Sequence, residues 1–241
     1  LPCSTHQSIS FIDAVFTSTS ASCITGLIVV DTSSAFTLFG KTVIMVLIQL
    51  GGVGVLTFAS YFSYFFKRGA SYENQLFLSS ISSINKLGEV FTVLKRILLI
   101  TLSIEAVGAI SIYLSISKSL IPSLFDRIYF SVFHSVSTFC NAGFSTLPQG
   151  IMEEGYVYNY PFQLSLIFLL VLGGLGFPVV INILSYGKYF FKSILEKVFS
   201  HKKYYRPRIL TLGSRISLIT TAILIIVGTV VLFFSEYDGV L

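Results

Sequence analysis

Residues 14–27 read AVFTSTSASCITGL and residues 131–144 read SVFHSVSTFCNAGF. With Gly26 laid on Gly143, Val15 falls on Val132, Phe16 on Phe133, Ser18 on Ser135, Ser20 on Ser137 and Cys23 on Cys140. The correspondence continues downstream after a connection a few residues longer in the second copy. Leu50-Gly51-Gly52-Val53-Gly54 matches Leu172-Gly173-Gly174-Leu175-Gly176, and Phe65-Phe66-Lys67 matches Phe190-Phe191-Lys192. Matches in the same order at three places make an internal repeat, and a repeat decides architecture before any single residue does.

Around these segments the chain is strongly apolar. Hydrophobic residues make up 54% and charged residues 11%, where a soluble domain carries roughly a quarter of its residues charged. Four stretches, 42–66, 97–117, 162–186 and 216–234, are long enough to cross a hydrocarbon core, which takes roughly 20 apolar residues as a helix. All lysines and arginines except Lys41, Lys118 and Arg127 fall in 67–96 and 187–215, so both segments are expected on the cytoplasmic side. The acids Asp13, Asp31, Asp126, Glu153, Glu154, Glu236 and Asp238 fall in the segments left for the outer side, where they can gather cations. The net charge of +5 does not point to nucleic acid as a partner, because the basic residues form short clusters beside apolar spans. Membrane lipid is the expected surroundings.

The segments 11–23 and 128–140 are too short to span. They are also too rich in serine and threonine to face lipid, and re-entrant half-helices meet both conditions, because polar backbone at membrane depth survives only under cover of protein or water. Cys23-Ile24-Thr25-Gly26 and Cys140-Asn141-Ala142-Gly143 then climb back outward in a non-helical conformation. A potassium filter needs stacked main-chain carbonyls in place of the ion's water, and the backbone angles this forces are those glycine tolerates best. Taken alone, one such glycine reads as a turn between two helices. Its recurrence before two matching spans favours a filter, and these eight residues are the candidate potassium-binding set.

The stretch Ala14 to Leu27, with Val30-Asp31-Thr32 and Leu47-Ile48-Gln49-Leu50-Gly51-Gly52-Val53-Gly54, closely resembles the first pore region of the Trk/Ktr/HKT superfamily of potassium transporters. Phe133 to Ser145 resembles the second. The resemblance implies an all-α membrane protein of repeated units, each a transmembrane helix, a re-entrant pore helix with its filter loop, and a second transmembrane helix. Four such units would surround one pore with pseudo-fourfold symmetry. On that template, 1–66 is a partial first unit, 67–96 a cytoplasmic loop, 97–186 the second unit, 187–215 a basic cytoplasmic loop and 216–241 the opening helix of a third. The chain, which begins at Leu1, is then expected to be a piece of a longer protein, lacking the first helix of unit one and everything after the opening helix of unit three. The implied function is potassium uptake across the cell membrane, the inner membrane in a bacterium. Potassium is the implied substrate, no cofactor is expected, and symport is an expected mode of transport. By the same resemblance Gly26 implies potassium over sodium, and the implied partners are a second copy in a homodimer and a cytoplasmic nucleotide-binding regulatory subunit. The family's gating loop would lie outside this sequence.

Other residues carry competing readings. Glu105 is the one acid deep in a span; it either accepts hydrogen bonds from a neighbouring pore helix or acts on permeation. The two Leu-Gly-Gly-x-Gly motifs lie inside apolar spans without a preceding soluble strand, which favours close helix packing over phosphate binding. Pro178 is expected to bend the span 162–186. Gln49, Asn182 and His134 are candidates for hydrogen bonds between helices. Cys3, Cys23 and Cys140 are too dispersed for a disulfide framework or a zinc site. No nucleophile, base and orienting acid cluster as in an enzyme. A secondary carrier alternating access around a midplane site, and a non-transporting scaffold, are the alternatives to a channel-like pore.

Overall fold

A computed structural model describes residues 3–6, 8–67, 85–187 and 211–236, with backbone only for 56–67 and 85–93. Apart from an isolated bridge between Thr5 and Phe36, its regular structure is helical. The helices are α1 (Phe11–Ser22), α2 (Thr32–Ala35), α3 (Leu38–Lys67), α4 (Asn85–Ser115), α5 (Leu124–Phe139), α6 (Tyr160–Gly174), α7 (Phe177–Gly187) and α8 (Leu212–Ser235). They fall into two compact units, Leu1–Gly174 and Leu175–Leu241.

Segments 38–55, 94–115 and 212–235 are each long and apolar enough to cross a membrane, and the pair α6 and α7 gives a fourth candidate if taken as one span. The chain is an all-α, multi-pass membrane protein. The spans at 42–66 and 216–234 lie within α3 and α8. Helix α4 starts at Asn85, so part of the segment 67–96 is helical. The stretch 162–186 is two helices rather than one bent helix. Helix α6 ends at Gly174, Gly176 has a φ of +79°, and Pro178 sits in the first turn of α7, where its missing N–H is no loss.

The two short helices are the centre of the first unit. At 1.5 Å per residue, α1 is about 18 Å and α5 about 24 Å long, less than a roughly 30 Å hydrocarbon core. Both start on a serine cap. Ser10 accepts from the Asp13 N–H at 3.1 Å while Asp13 accepts from the Ser10 N–H at 3.3 Å, and Ser123 accepts from the Asp126 N–H at 3.4 Å. Helix α5 packs against α4, α6 and α3, whereas α1 packs mainly on α3. This difference decides the burial of equivalent residues: Phe133 is fully buried, while Phe16 is 38% exposed. Phe130, Tyr156 and Phe162 pack ring to ring at 5.5 to 6.0 Å and anchor the N-terminal half of α5 to α6. Asn159 joins α6 to α4 by accepting from the Phe162 N–H and donating to the Ser115 carbonyl.

The second unit contains α7 and α8. Asn182 donates to Thr211 Oγ1 at 3.1 Å and Ser214 Oγ at 2.6 Å, an interhelical bond of the kind its sequence position suggests. Helix α8 contains an 18-residue window with a mean hydropathy of 2.7 and no buried residue, while Ser214 in its first turn is buried.

Candidate functional site

Both short helices end in the same way. The Cys23 and Cys140 N–H groups still donate one turn back, to Thr19 and Val136. The next residue then turns left-handed, with φ +57° at Ile24 and +58° at Asn141, and the glycine two positions later turns left-handed again, with φ +76° at Gly26 and +72° at Gly143. A left-handed asparagine is tolerated, but a left-handed β-branched isoleucine is strained.

The hydrogen bonds repeat as faithfully as the angles. Ile24 and Thr25 donate their N–H groups to the Ala21 and Ser20 carbonyls at 3.3 and 2.9 Å, and Asn141 and Ala142 donate theirs to Thr138 and Ser137 at 3.0 and 2.8 Å. A trans peptide points its C=O opposite to its N–H. The carbonyls of Cys23, Ile24, Cys140 and Asn141 therefore face away from the helices that carry them.

The two loops lie side by side. A Cβ placed on either Gly26 or Gly143 would be 3.6 Å from the Cα of the other, and one on Gly26 would also meet the Ala142 carbonyl oxygen at 2.7 Å. Glycine at 26 thus satisfies both a left-handed backbone and a close approach of main chain to main chain.

The Leu-Gly-Gly motifs hold the loops from behind. Gly51 lies against the Ser22 carbonyl oxygen and Gly173 against the Phe139 carbonyl oxygen, so in each copy the first glycine of the motif abuts the last carbonyl of the short helix. Gly52 receives the Cys140 thiol, which brings the first copy's long helix onto the second copy's loop.

Polar side chains behind the second loop were only partly foreseeable. Glu105 is buried; its main-chain carbonyl accepts from the Ser135 hydroxyl at 2.7 Å, and its carboxyl faces the Cys140 thiol at 4.0 Å. The Gln49 amide lies within reach of that carboxyl, yet neither its nitrogen nor its oxygen makes a hydrogen bond of good geometry. His134 packs edge-on against Phe162 of α6 at 6.3 Å, but among the described residues it makes no hydrogen bond to another helix. Its ring nitrogens meet the Phe130 carbonyl on the same helix at 2.9 Å and the Ser145 hydroxyl beyond the loop at 3.1 Å. When the Asn141 amide is oriented to satisfy its neighbours, its nitrogen donates to the Leu170 C=O and its oxygen accepts from the Gly174 N–H, each at 3.2 Å. These are the two groups that a continuous α-helix pairs with each other. Sequence position alone gave no signal for that bridge.

After the first loop, Asp31 caps α2 by accepting from the N–H and hydroxyl groups of Ser33 and Ser34. Burial pushes its carboxyl up, but these bonds outweigh burial and hold it below its ordinary value.

The TrkH family, described as cation transport protein, matches residues 2–237. The chain is 38% identical to the Ktr system potassium uptake protein B of Bacillus subtilis, over 76% of this chain and 40% of the relative. It is 32% identical to the potassium/sodium uptake protein NtpJ of Enterococcus hirae, over 97% of this chain and 47% of the relative. It is also 30% identical to the Ktr system potassium uptake protein B of Vibrio alginolyticus, over 98% and 48%. The matched region thus spans less than half the length of each of these relatives. These relatives are transporters rather than enzymes, and the chain belongs to the TrkH family of cation transport proteins.

Proposed function

We propose that this chain contributes two filter segments to a potassium-conducting pore. Main-chain oxygens of Cys23, Ile24, Thr25, Gly26, Cys140, Asn141, Ala142 and Gly143 replace the water around the ion. The observation that carries this reading is the contact of Gly26 with Gly143, made by two loops of equivalent angles and equivalent hydrogen bonds. Four carbonyls turned away from their own helices are free to meet a cation, and each helix C-terminus adds partial negative charge nearby. The names of the relatives, two for potassium and one for potassium and sodium, support the choice of ion. Two segments supply half of a coordinating ring, so conduction requires further segments.

The same reading extends to partners and place. The pore sits in the cell membrane, pairs as a homodimer, and is gated by a cytoplasmic nucleotide-binding subunit docked on the basic segments 67–96 and 187–215. Those segments lie largely outside the described residues, and the support is their charge together with the word "system" in the relatives' names. An alternating-access carrier would place its deep acid in an open site; Glu105 is enclosed against Ser135 and Cys140 instead.

The test is potassium uptake in cells lacking their own uptake systems, with this sequence expressed at the full length of its relatives. Gly143→Ser, which places a side chain at a left-handed position, should lower the potassium-over-sodium ratio. An unchanged ratio would overturn the filter assignment.

A further inference from the structure

Hydroxyls inside a helix commonly donate to the carbonyl one turn back. Thr42, Ser103, Ser115, Ser131, Ser165 and Thr229 all do so, at 2.6 to 2.8 Å. Ser20 and Ser137 do not, although both lie in helices and both are buried. Ser20 donates forward to the Leu27 carbonyl at 2.7 Å, and Ser137 donates forward to the Phe144 carbonyl at 2.6 Å. Each of these acceptors belongs to the residue just after the filter glycine. The main-chain carbonyls of the same two serines hold the N–H groups of Thr25 and Ala142, the residues just before the glycines.

One side chain position therefore brackets each glycine. We infer that Ser20 and Ser137 are positioning residues that set the outer end of the filter, an inference that rests on the filter reading above. A carbonyl oxygen held at 2.6 to 2.7 Å by a helix-borne hydroxyl is turned toward that helix and cannot face an ion on the opposite side. Leu27 and Phe144 are thereby withdrawn from the ion path, and Gly26 and Gly143 supply the outermost oxygens of their segments. The bracket also limits rotation about the glycine, the residue with the greatest backbone freedom. A glycine loop released at its outer end can close its oxygens around the smaller sodium ion. The two serines coincide when the repeat is aligned, and the structure gives that coincidence a shared role.

The experiment compares Ser137→Ala, Ser20→Ala and Ser137→Thr with Gly143→Ser in the full-length protein, reading surface abundance and the potassium-over-sodium permeability ratio. Each alanine variant should lower the ratio roughly tenfold, the equivalent of losing one buried hydrogen bond, while Ser137→Thr keeps its hydroxyl and most of the ratio. Should Ser137→Ala not reach the membrane, Ser137→Cys, close in volume but a weak donor, must show the drop. A normal ratio in the alanine or cysteine variants, with Gly143→Ser still lowering it, overturns this inference alone. A normal ratio in Gly143→Ser overturns the filter reading and this inference with it.

Discussion

The Cys140 thiol at the end of α5 lies 4.0 Å from the Glu105 carboxyl on α4, and its other side packs on Gly52 of α3. Three helices thus converge on the residue that opens the second loop, whereas the equivalent Cys23 in the first copy is exposed. Glu105 contacts α5 at two points, through its carboxyl to Cys140 and its main-chain carbonyl to Ser135. Glu105→Gln should reduce protein at the cell surface by roughly two- to fivefold, the change expected from a loss of about 1 kcal/mol. Normal surface abundance with altered conductance would place Glu105 in permeation instead.

The first glycine of each Leu-Gly-Gly motif admits no side chain. In Gly51→Ala and Gly173→Ala the new Cβ would overlap the Ser22 and Phe139 carbonyl oxygens. Overpacking of this kind costs about 1–3 kcal/mol, so both variants should melt earlier in detergent than the parent. Gly54→Ala is the control, because no atom of the described residues lies within 4 Å of its added Cβ. It should be neutral or slightly stabilising by helix propensity.

Ile24 and Asn141 hold the same left-handed position with opposite consequences. Asn141→Ile would lose both bonds to the end of α6 and introduce a left-handed penalty of about 1–2 kcal/mol. Ile24→Asn relieves that penalty in the first loop and should raise the melting temperature. Thermal unfolding of the two variants decides the matter: shifts of the same sign would contradict the local reading of both sites.

Asp31→Ala should destabilise the connection between α1 and α3 by about 1 kcal/mol near neutral pH, the usual effect of removing a helix N-cap. The Asp31 carboxyl is held below its ordinary value in the folded chain. Its contribution is therefore complete above an ordinary carboxylate value of about 4 and is lost as pH falls through the lower, folded value. Melting temperatures of parent and variant should differ at neutral pH and converge in stronger acid. A difference that instead grows on acidification would refute the assignment.

Much of the fold was legible before any coordinates. Serine-rich segments too short to span became α1 and α5, and the apolar stretches at 42–66 and 216–234 became α3 and α8. The stretch 162–186 was legible only in part. From sequence, Pro178 is expected to bend the span, but it lies in the first turn of α7, and the chain leaves the helix earlier, at Leu175 and Gly176, next to the Gly174 N–H that Asn141 engages. Ile24 cannot make the equivalent bridge, and α3 runs unbroken past its own glycines. His134 is likewise expected to hydrogen-bond between helices; its partners are instead Phe130 on its own helix and Ser145 beyond the loop.

Composition, span length and the twice-written glycine segment determined that this chain crosses a membrane and where its backbone must leave the helix. Those properties depend on residues close together in the chain, on the solvation of apolar runs and the angles a main chain can adopt. Tertiary structure alone decided that Ser20 and Ser137 reach forward rather than back, that Gly51 and Gly173 meet carbonyl oxygens, and that Gly26 touches Gly143. A hydroxyl has several acceptors within reach and a glycine several possible neighbours, so the choice falls to the packing of segments far apart in sequence.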